Sequence, residues 1–168
     1  MAKAEERLME WLRDAHAAEE QAETMLSSFA DRLEHYPELK DRVTRHVKET
    51  QRQAEEIKKC IERRNGSTSA FKVAGAKAIG LGQALSGIFV GDEVMKGALA
   101  SRAFEAMEIT SYTILVKTAQ QVGDTETATV CGQILREEEA MAKWLDEHIE
   151  SLTANYLQRE EAGVTAKH

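Results

Sequence analysis

Apolar side chains recur at alternating steps of four and three residues along four long stretches of the chain. In the first stretch they are Leu8, Leu12, Ala15, Ala22, Leu26, Phe29 and Leu33. This spacing places them on one face of an α-helix, which completes a turn in about 3.6 residues. The pattern predicts four helices, at about 4–34, 37–64, 92–122 and 125–159.

Two short turns and one long connection separate these predicted helices. His35 to Pro37 form the first turn, and Gly123 with Asp124 forms the last. Residues 67–92 are rich in glycine and alanine, and we expect them to form a crossover that contains one short helix. Because short turns join antiparallel neighbours, the sequence predicts an all-α four-helix bundle of two hairpins joined by the crossover.

Ionisable side chains interrupt each of the four inward-facing stripes. A buried carboxylate without a partner costs on the order of several kcal/mol. A chain that retains such residues must protonate them, pair them with cations or supply a metal ion. The residues concerned, on or beside the stripes, are Glu19, His46, Glu49, Glu105, Glu108 and Glu138.

The glutamates are spaced alike in the two hairpins. Glu19 and Glu49 are 30 positions apart around the first turn, and Glu108 and Glu138 are 30 positions apart around the last. Residues equidistant from the turn of an antiparallel hairpin lie at the same level. Each hairpin is therefore predicted to bring two glutamates face to face, and packing the hairpins together would collect the whole set at one point.

Carboxylates with a few imidazoles suit cations such as Fe(II), Mn(II) or Mg(II), and bridging carboxylates hold two ions about 3.5–4 Å apart. We expect no set of lysines or arginines on the same stripes. Two divalent ions would offset most of the charge of five carboxylates, which makes a dinuclear metal site the leading interpretation. The alternative is a buried layer of protonated or water-bridged carboxyl groups.

Four neighbouring residues have secondary roles in this interpretation. His16 either orients Glu19 or lies at the bundle surface, and Tyr112 is placed to hydrogen-bond a ligand. Gln53 approaches the site one turn beyond Glu49. Glu137 is expected in solvent while its neighbour Glu138 faces inward, although the sequence leaves the choice between them open.

Composition limits the class of protein. With 168 residues, we expect a single domain at 1–160 and a disordered tail at 161–168. A net charge of −7 without a basic face predicts no nucleic-acid partner. The first residues, MAKAEERLMEWLRD, are charged and do not resemble a signal peptide, so we expect a cytoplasmic protein. Lys72, Lys77 and several glycines interrupt the apolar run in the crossover, so we expect no membrane span and no membrane partner. Cys60 and Cys131 are expected as reduced thiols.

The bundle pattern with one in-seam glutamate per helix resembles the ferritin-like di-iron carboxylate proteins. Segments covering about residues 10–160 resemble the YciE/YciF family of bacterial ferritin-like stress-response proteins, and most of all its YciE members: WLRDAHAAEEQAE, YPEL, HVKETQRQ, GIFVGDEVMKG, FEAMEITSY and ILREEEAMAKWL. The resemblance implies a ferritin-like four-helix core with an extra crossover helix, a homodimer and a link to general stress responses. It leaves the biochemical activity open.

The sequence departs from the di-iron pattern at two positions. Arg52 stands three residues after Glu49 and Met141 three residues after Glu138, so neither Glu-x-x-His pair is present. His16 with Glu19 and His46 with Glu49 form the reverse order, His-x-x-Glu, which still shares one helix face.

Two functions from different classes follow. The first is a dinuclear iron or manganese protein that acts on Fe(II), oxygen or peroxide. In it, Glu108 and a glutamate of the second or fourth helix bridge the ions, Glu19, Glu105 and the remaining glutamate are terminal ligands, and His46 supplies nitrogen. The second is a non-catalytic bundle with a vestigial site that binds a protein partner, such as a relative from the same family.

Overall fold

The computed structural model describes residues 2–64 and 93–166. Within these ranges the chain forms four α-helices: α1 (Ala2–Arg32), α2 (Pro37–Arg63), α3 (Glu93–Gln121) and α4 (Thr125–Glu161). No strand occurs in the described ranges. The predicted all-α class is confirmed, and each predicted helix boundary agrees to within two residues. The predicted crossover and its short helix, at 67–92, lie outside the described residues.

The helices pack as two hairpins. α1 packs extensively against α2, and α3 against α4, while α1 with α3 and α2 with α4 form the contacts between the pairs. Each hairpin turn contains the expected residues. Pro37 begins α2. Gly123 lies in the α3–α4 connection with a φ of 77°, a conformation that glycine adopts without strain. The arrangement is the four-helix bundle that the stripes predict.

Asp124 joins the start of α4 to the end of α2. It is the N-cap of α4, where its carboxylate accepts a hydrogen bond from the backbone N–H of Thr127 at 3.1 Å. Arg63 and Arg64, at the end of α2, also donate to it at 2.6 and 2.7 Å. The start of α4 is therefore fixed to the end of α2 by charged hydrogen bonds.

The apolar core consists of two clusters separated along the bundle axis. Along every helix, a member of one cluster is followed by the ionisable positions and then by a member of the other. On α1, for example, Ala15 and Ala22 belong to different clusters and Glu19 lies between them. The polar residues therefore form one layer with packed hydrocarbon on both sides. In the order α1 to α4, the pairs that flank this layer are Ala15 and Ala22, Val43 and Ile57, Phe104 and Tyr112, and Ile134 and Met141.

Part of the segment expected as a disordered tail packs against the bundle. The Tyr36 hydroxyl donates to the backbone carbonyl of Ala166 at 2.5 Å, and Ala166 is buried. Arg159 donates to the carbonyl of Thr165 at 2.7 Å. The division into one domain and a tail stays a prediction, but residues 162–166 have a defined path along the bundle.

None of the helices in 2–64 and 93–166 combines the length and apolar character needed to cross a bilayer. Cys60 and Cys131 are both buried and free, so no disulfide joins them.

Candidate metal centre

Five of the six predicted ligands lie buried in the polar layer. Glu19, His46, Glu105, Glu108 and Glu138 are each at most 3% exposed. The helical stripes explain this burial, because each residue occupies the inward position of its turn between two core side chains. The sixth predicted ligand, Glu49, differs, since its side chain is 32% exposed.

His46 lies at the centre of the layer. Its Nε2 atom is 3.2 Å from Oε1 of Glu105 and 3.3 Å from Oε2 of Glu138. These three side chains come from α2, α3 and α4, and their candidate ligand atoms all lie within 4.8 Å of one another. One buried nitrogen and two buried carboxylates therefore converge from three helices, as expected of a metal-binding group.

The outer nitrogen of His46 contacts Glu49. Nδ1 of the imidazole lies 2.7 Å from Oε2 of Glu49. The same Oε2 atom accepts a hydrogen bond from Nη1 of Arg42 at 3.2 Å. Glu49 therefore lies on the far side of the ring from Glu105 and Glu138. The predicted convergence of all six residues on one point is corrected here, since the structure places Glu49 outside the inner group.

Arg42 is a site residue that sequence reasoning missed. It is 8% exposed and lies one turn before His46 on α2. The sequence predicted no set of lysines or arginines on the apolar stripes, and it did not single out this one arginine beside them. The spacing of Arg42, His46, Glu49 and Gln53 at steps of four, three and four contained the signal, but it defines a stripe offset from the apolar one.

Glu19 and Glu108 occupy the same layer beside the inner group. The Tyr112 hydroxyl, on α3, donates a short hydrogen bond to Oε1 of Glu19, on α1. This is the contact with a candidate ligand that the position of Tyr112 predicted. It orients the Glu19 carboxylate and ties the two hairpins together within the layer.

Glu138 faces the layer and Glu137 faces outward. Gln53 is fully buried and donates to Oε1 of Glu138 at 2.5 Å and to Oε2 of Glu137 at 2.9 Å. Glu137 also accepts from Arg52 at 2.5 Å, and its side chain is 22% exposed. The structure therefore answers the question that the sequence left open, and it confirms that Gln53 approaches the site.

His16 is buried on α1, and its Nδ1 atom lies 3.6 Å from Oε2 of the exposed Glu20. It therefore does not lie at the bundle surface, which was one of its two expected positions. The other expectation, that it orients Glu19, stays a prediction.

Comparison with known proteins places the chain in a family. The family model described as "Domain of unknown function (DUF892)" matches residues 3–158. The chain belongs to the DUF892 family. A protein from Xanthomonas campestris pv. campestris with a known crystal structure is 41% identical to this DUF892 chain. The match covers 95% of this chain and 99% of the Xanthomonas protein, with a TM-score of 0.79.

Two more distant structures share the fold. The stress protein YciF of E. coli is 24% identical, with 89% of this chain and 96% of YciF covered and a TM-score of 0.77. YcfI of Rhodopseudomonas palustris is 22% identical, with coverages of 85% and 92% and a TM-score of 0.72. The predicted ferritin-like bundle is thereby confirmed, and the DUF892 match together with these structures supports the YciE/YciF-type resemblance. The closer likeness to YciE stays a prediction.

Burial and mutual repulsion raise the pKa of three carboxyl groups in this DUF892 site. Burial raises the pKa of Glu19 and Glu108 well above the usual range, and the charges of neighbouring carboxylates reinforce the effect. Burial also raises the pKa of Glu105 to about 8, against the opposing influence of His46. Without a metal, burial therefore favours the neutral acid form of all three groups.

The contacts between His46 and the carboxylates of Glu138 and Glu49 favour the charged forms of all three groups. Burial by itself would lower the pKa of His46, but its contacts with Glu105, Glu138 and Glu49 outweigh burial and raise it well above the ordinary value. Burial would raise the pKa of Glu138 and Glu49, yet both values are lowered because each carboxylate lies next to His46. An imidazolium between two carboxylates, with Arg42 on the outer one, leaves this cluster without net charge.

Unused ligand atoms remain in the layer. Within the described residues, one carboxylate oxygen on each inner glutamate is buried and makes no hydrogen bond of good geometry: Oε2 of Glu19, Oε2 of Glu105, Oε1 of Glu108 and Oε2 of Glu138. Buried polar atoms in folded proteins nearly always have partners. Four such oxygens in the layer that contains the His46 imidazole fit a cluster of hard or borderline divalent ions.

Proposed function

We propose that this DUF892 protein binds a dinuclear iron or manganese centre inside its ferritin-like bundle and uses it in redox chemistry with Fe(II), oxygen or peroxide. The observation that supports this most strongly is that four buried carboxylate oxygens without good hydrogen bonds occupy the layer in which Glu105 and Glu138 contact Nε2 of His46. The residues that would hold the metal are Glu19, His46, Glu105, Glu108 and Glu138.

Metal binding would relieve the electrostatic strain in the layer. Four glutamates cannot all be ionised in a dry core, so the metal-free protein has to protonate several of them. Divalent cations would take the place of these protons and use the oxygens that make no hydrogen bond of good geometry. Such ions would supply one-electron chemistry and the activation of oxygen or peroxide.

The chain itself supplies orientation and exclusion of water. Tyr112 holds one oxygen of Glu19, and Gln53 holds one oxygen of Glu138, which leaves the other oxygen of each carboxylate for a ligand. Packed apolar side chains above and below the layer limit access of bulk water. The site is therefore preorganised by the same helices that form the core.

The biological setting is also a proposal. E. coli YciF is described as a stress protein and has the same fold. We propose that this protein has a related role in bacterial stress, acting in the cytoplasm as a homodimer or together with a related family member, without nucleic-acid or membrane partners.

Unfolding with and without metal tests the proposal. Protein freed of metal with a chelator is unfolded in urea with and without added Mn(II) or anaerobic Fe(II), and Glu108→Gln is treated identically. A site that exists only in the folded state stabilises the wild type by about 2.7 kcal/mol when free metal is a hundred times its dissociation constant. The variant is expected to lose this gain. Equal stabilisation of both proteins, or none in the wild type, would overturn the assignment.

A second candidate function is a non-catalytic bundle that acts through a protein partner. It is favoured by the two positions where a Glu-x-x-His pattern would have histidines. Arg52 is paired with Glu137 instead, and Met141 is fully buried among apolar side chains. This function predicts no effect of metal or chelator on the urea midpoint.

A further inference from the structure

We infer that Glu49, held by Arg42, is a positioning residue that orients His46, and that it is not a metal ligand. The inference rests on the proposed metal site and deepens it. It assigns distinct roles to two glutamates, Glu49 and Glu138, that the sequence places in equivalent positions of the two hairpins.

The first argument is the direction of the two imidazole nitrogens. Nε2 of His46 points to Glu105 and Glu138, whereas Nδ1 lies 2.7 Å from Glu49. A hydrogen bond from Nδ1–H to a carboxylate fixes the ring orientation and leaves the lone pair of Nε2 for a metal. Histidine ligands in proteins almost always donate their second N–H to such an outer group.

The second argument is that one oxygen of Glu49 already has two partners and that its side chain is partly exposed. Its Oε2 atom accepts from both His46 and Arg42, and its side chain is 32% exposed, while the inner glutamates are buried. An inner glutamate such as Glu108 has an unused buried oxygen. The carboxylates at Nε2 are those of Glu105 and Glu138, whereas Glu49 contacts Nδ1 on the opposite side of the ring. Glu49 is therefore placed to orient the imidazole of His46 and not to bind the metal.

The third argument concerns Arg42. Its side chain is almost buried, and Nη1 lies 3.2 Å from Oε2 of Glu49. The arginine neutralises the carboxylate and restricts its rotamers, so that the hydrogen bond to Nδ1 is formed before any metal arrives. Arg42, Glu49 and His46 thus form a chain of hydrogen bonds that ends at the inner group.

Equilibrium Co(II) binding distinguishes a positioning role from ligation. The proteins compared are the wild type, Glu49→Gln, Arg42→Gln, the double variant and Glu56→Gln. Glu56 is the matched control, because it lies on the same helix, is 27% exposed and faces Arg52 at 3.7 Å, but does not contact His46. Urea unfolding of each metal-free variant establishes that it folds.

A positioning role predicts that Glu49→Gln binds the same number of ions per chain as the wild type, with affinity about 10- to 100-fold weaker. Arg42→Gln weakens binding less, and the double variant binds no more weakly than Glu49→Gln alone, because both changes act through one contact. Glu56→Gln binds like the wild type. In Co(II)-loaded protein, the exchangeable imidazole N–H proton is seen by NMR in the wild type and exchanges faster with solvent in Glu49→Gln.

Three results would overturn the inference. Loss of an ion, or a changed ligand-field spectrum at full occupancy, in Glu49→Gln would make Glu49 a ligand. Affinity equal to that of Glu56→Gln would remove its role altogether. A wild type that binds no Co(II), Fe(II) or Mn(II) would overturn the proposed function as well, so failure of the inference alone is recognisable by intact metal binding in the wild type.

Discussion

Nε2 of His46 lies 3.3 Å from Oε2 of Glu138, and both side chains are 1% exposed. The contact joins α2 to α4 across the centre of the bundle. In the metal-free protein it is an ion pair, and in the proposed metal-bound protein the same two atoms are ligands. Protons and metal ions therefore compete for one set of atoms, and pH should affect stability and metal affinity in opposite directions.

The metal-free protein should lose stability as the pH rises. Between 4.5, the ordinary pKa of glutamate, and about 8, the folded chain keeps a proton on Glu105 that the unfolded chain has released. The raised pKa values of Glu19 and Glu108 act in the same direction. The stabilisation from His46 is fully present below 6.5 and is lost as the pH rises through its raised value.

Urea unfolding of chelator-treated protein at about pH 5.5, 7 and 8.5 measures this loss. The free energy of unfolding should fall across the series, and Glu105→Gln should flatten the slope because it removes one of the titrating groups. With saturating metal the fall should disappear, since binding releases the protons. A metal-free protein whose stability is constant or rises over this range would contradict the assigned protonation states.

Tyr112→Phe should destabilise the metal-free protein by about 1–3 kcal/mol, because it leaves a buried oxygen of Glu19 without its donor. Tyr156→Phe is the matched control. The Tyr156 hydroxyl also donates to a glutamate, Glu160, at 3.0 Å, but in a partly exposed position at the end of α4. Urea unfolding of both variants should show the larger loss in Tyr112→Phe; equal losses would show that the buried contact has no special role.

Asp124 should stabilise the fold by about 2 kcal/mol near neutral pH. Burial would raise its pKa, but hydrogen bonds from Thr127, Arg64 and Arg63 hold it at about 2, below the ordinary 3.8. The contribution is fully present above 3.8 and is lost as the pH falls through about 2. The stability gap between wild type and Asp124→Asn should therefore close in acid.

The control for this prediction is Asp146→Asn. Asp146 is also paired with an arginine, Arg102, at 2.6 Å, but the pair is exposed and should contribute little. Unfolding at about pH 7 and pH 2.5 compares the two variants. A loss in Asp124→Asn that is the same at both pH values would assign it to something other than the charge of Asp124.

Gly97→Ala should destabilise the bundle by about 1–3 kcal/mol through overpacking. A Cβ atom at Gly97 would clash with the ring of Phe29, which is buried in the core. Gly132→Ala, in α4, is the opposite case, because the nearest atoms are 3.9 Å away; there alanine should add about 0.5–1 kcal/mol. Thermal melts of both variants test the contrast, and a stabilised Gly97→Ala would show that α1 and α3 are less closely packed than the structure indicates.

The sequence predicted the bundle and the inner glutamates because both depend on helical periodicity. Glu19, Glu108 and Glu138 fall on apolar stripes, and a stripe faces the core whatever the side chain at each position. Register within each hairpin follows from its turn, which is why Glu108 on α3 and Glu138 on α4 could be assigned to the same level from their spacing alone.

Periodicity could not define the roles of Glu49 and Arg42. Both lie at the edge of the inner face of α2, where a long side chain can turn inward or outward with little change in backbone position. Glu49 turns back to Nδ1 of His46, and Arg42 reaches it from one turn earlier. Such choices depend on neighbouring charges in three dimensions, which spacing along one helix does not contain.

The most direct test of the metal centre is elemental analysis of protein purified without chelator, repeated after anaerobic loading with Fe(II) or Mn(II) and removal of excess metal. The proposed centre predicts about two ions per chain, bridged by carboxylates of the buried layer. No retained metal under either condition would contradict it, and Glu19, Glu105, Glu108 and Glu138 would then be a buried layer that is stable without metal.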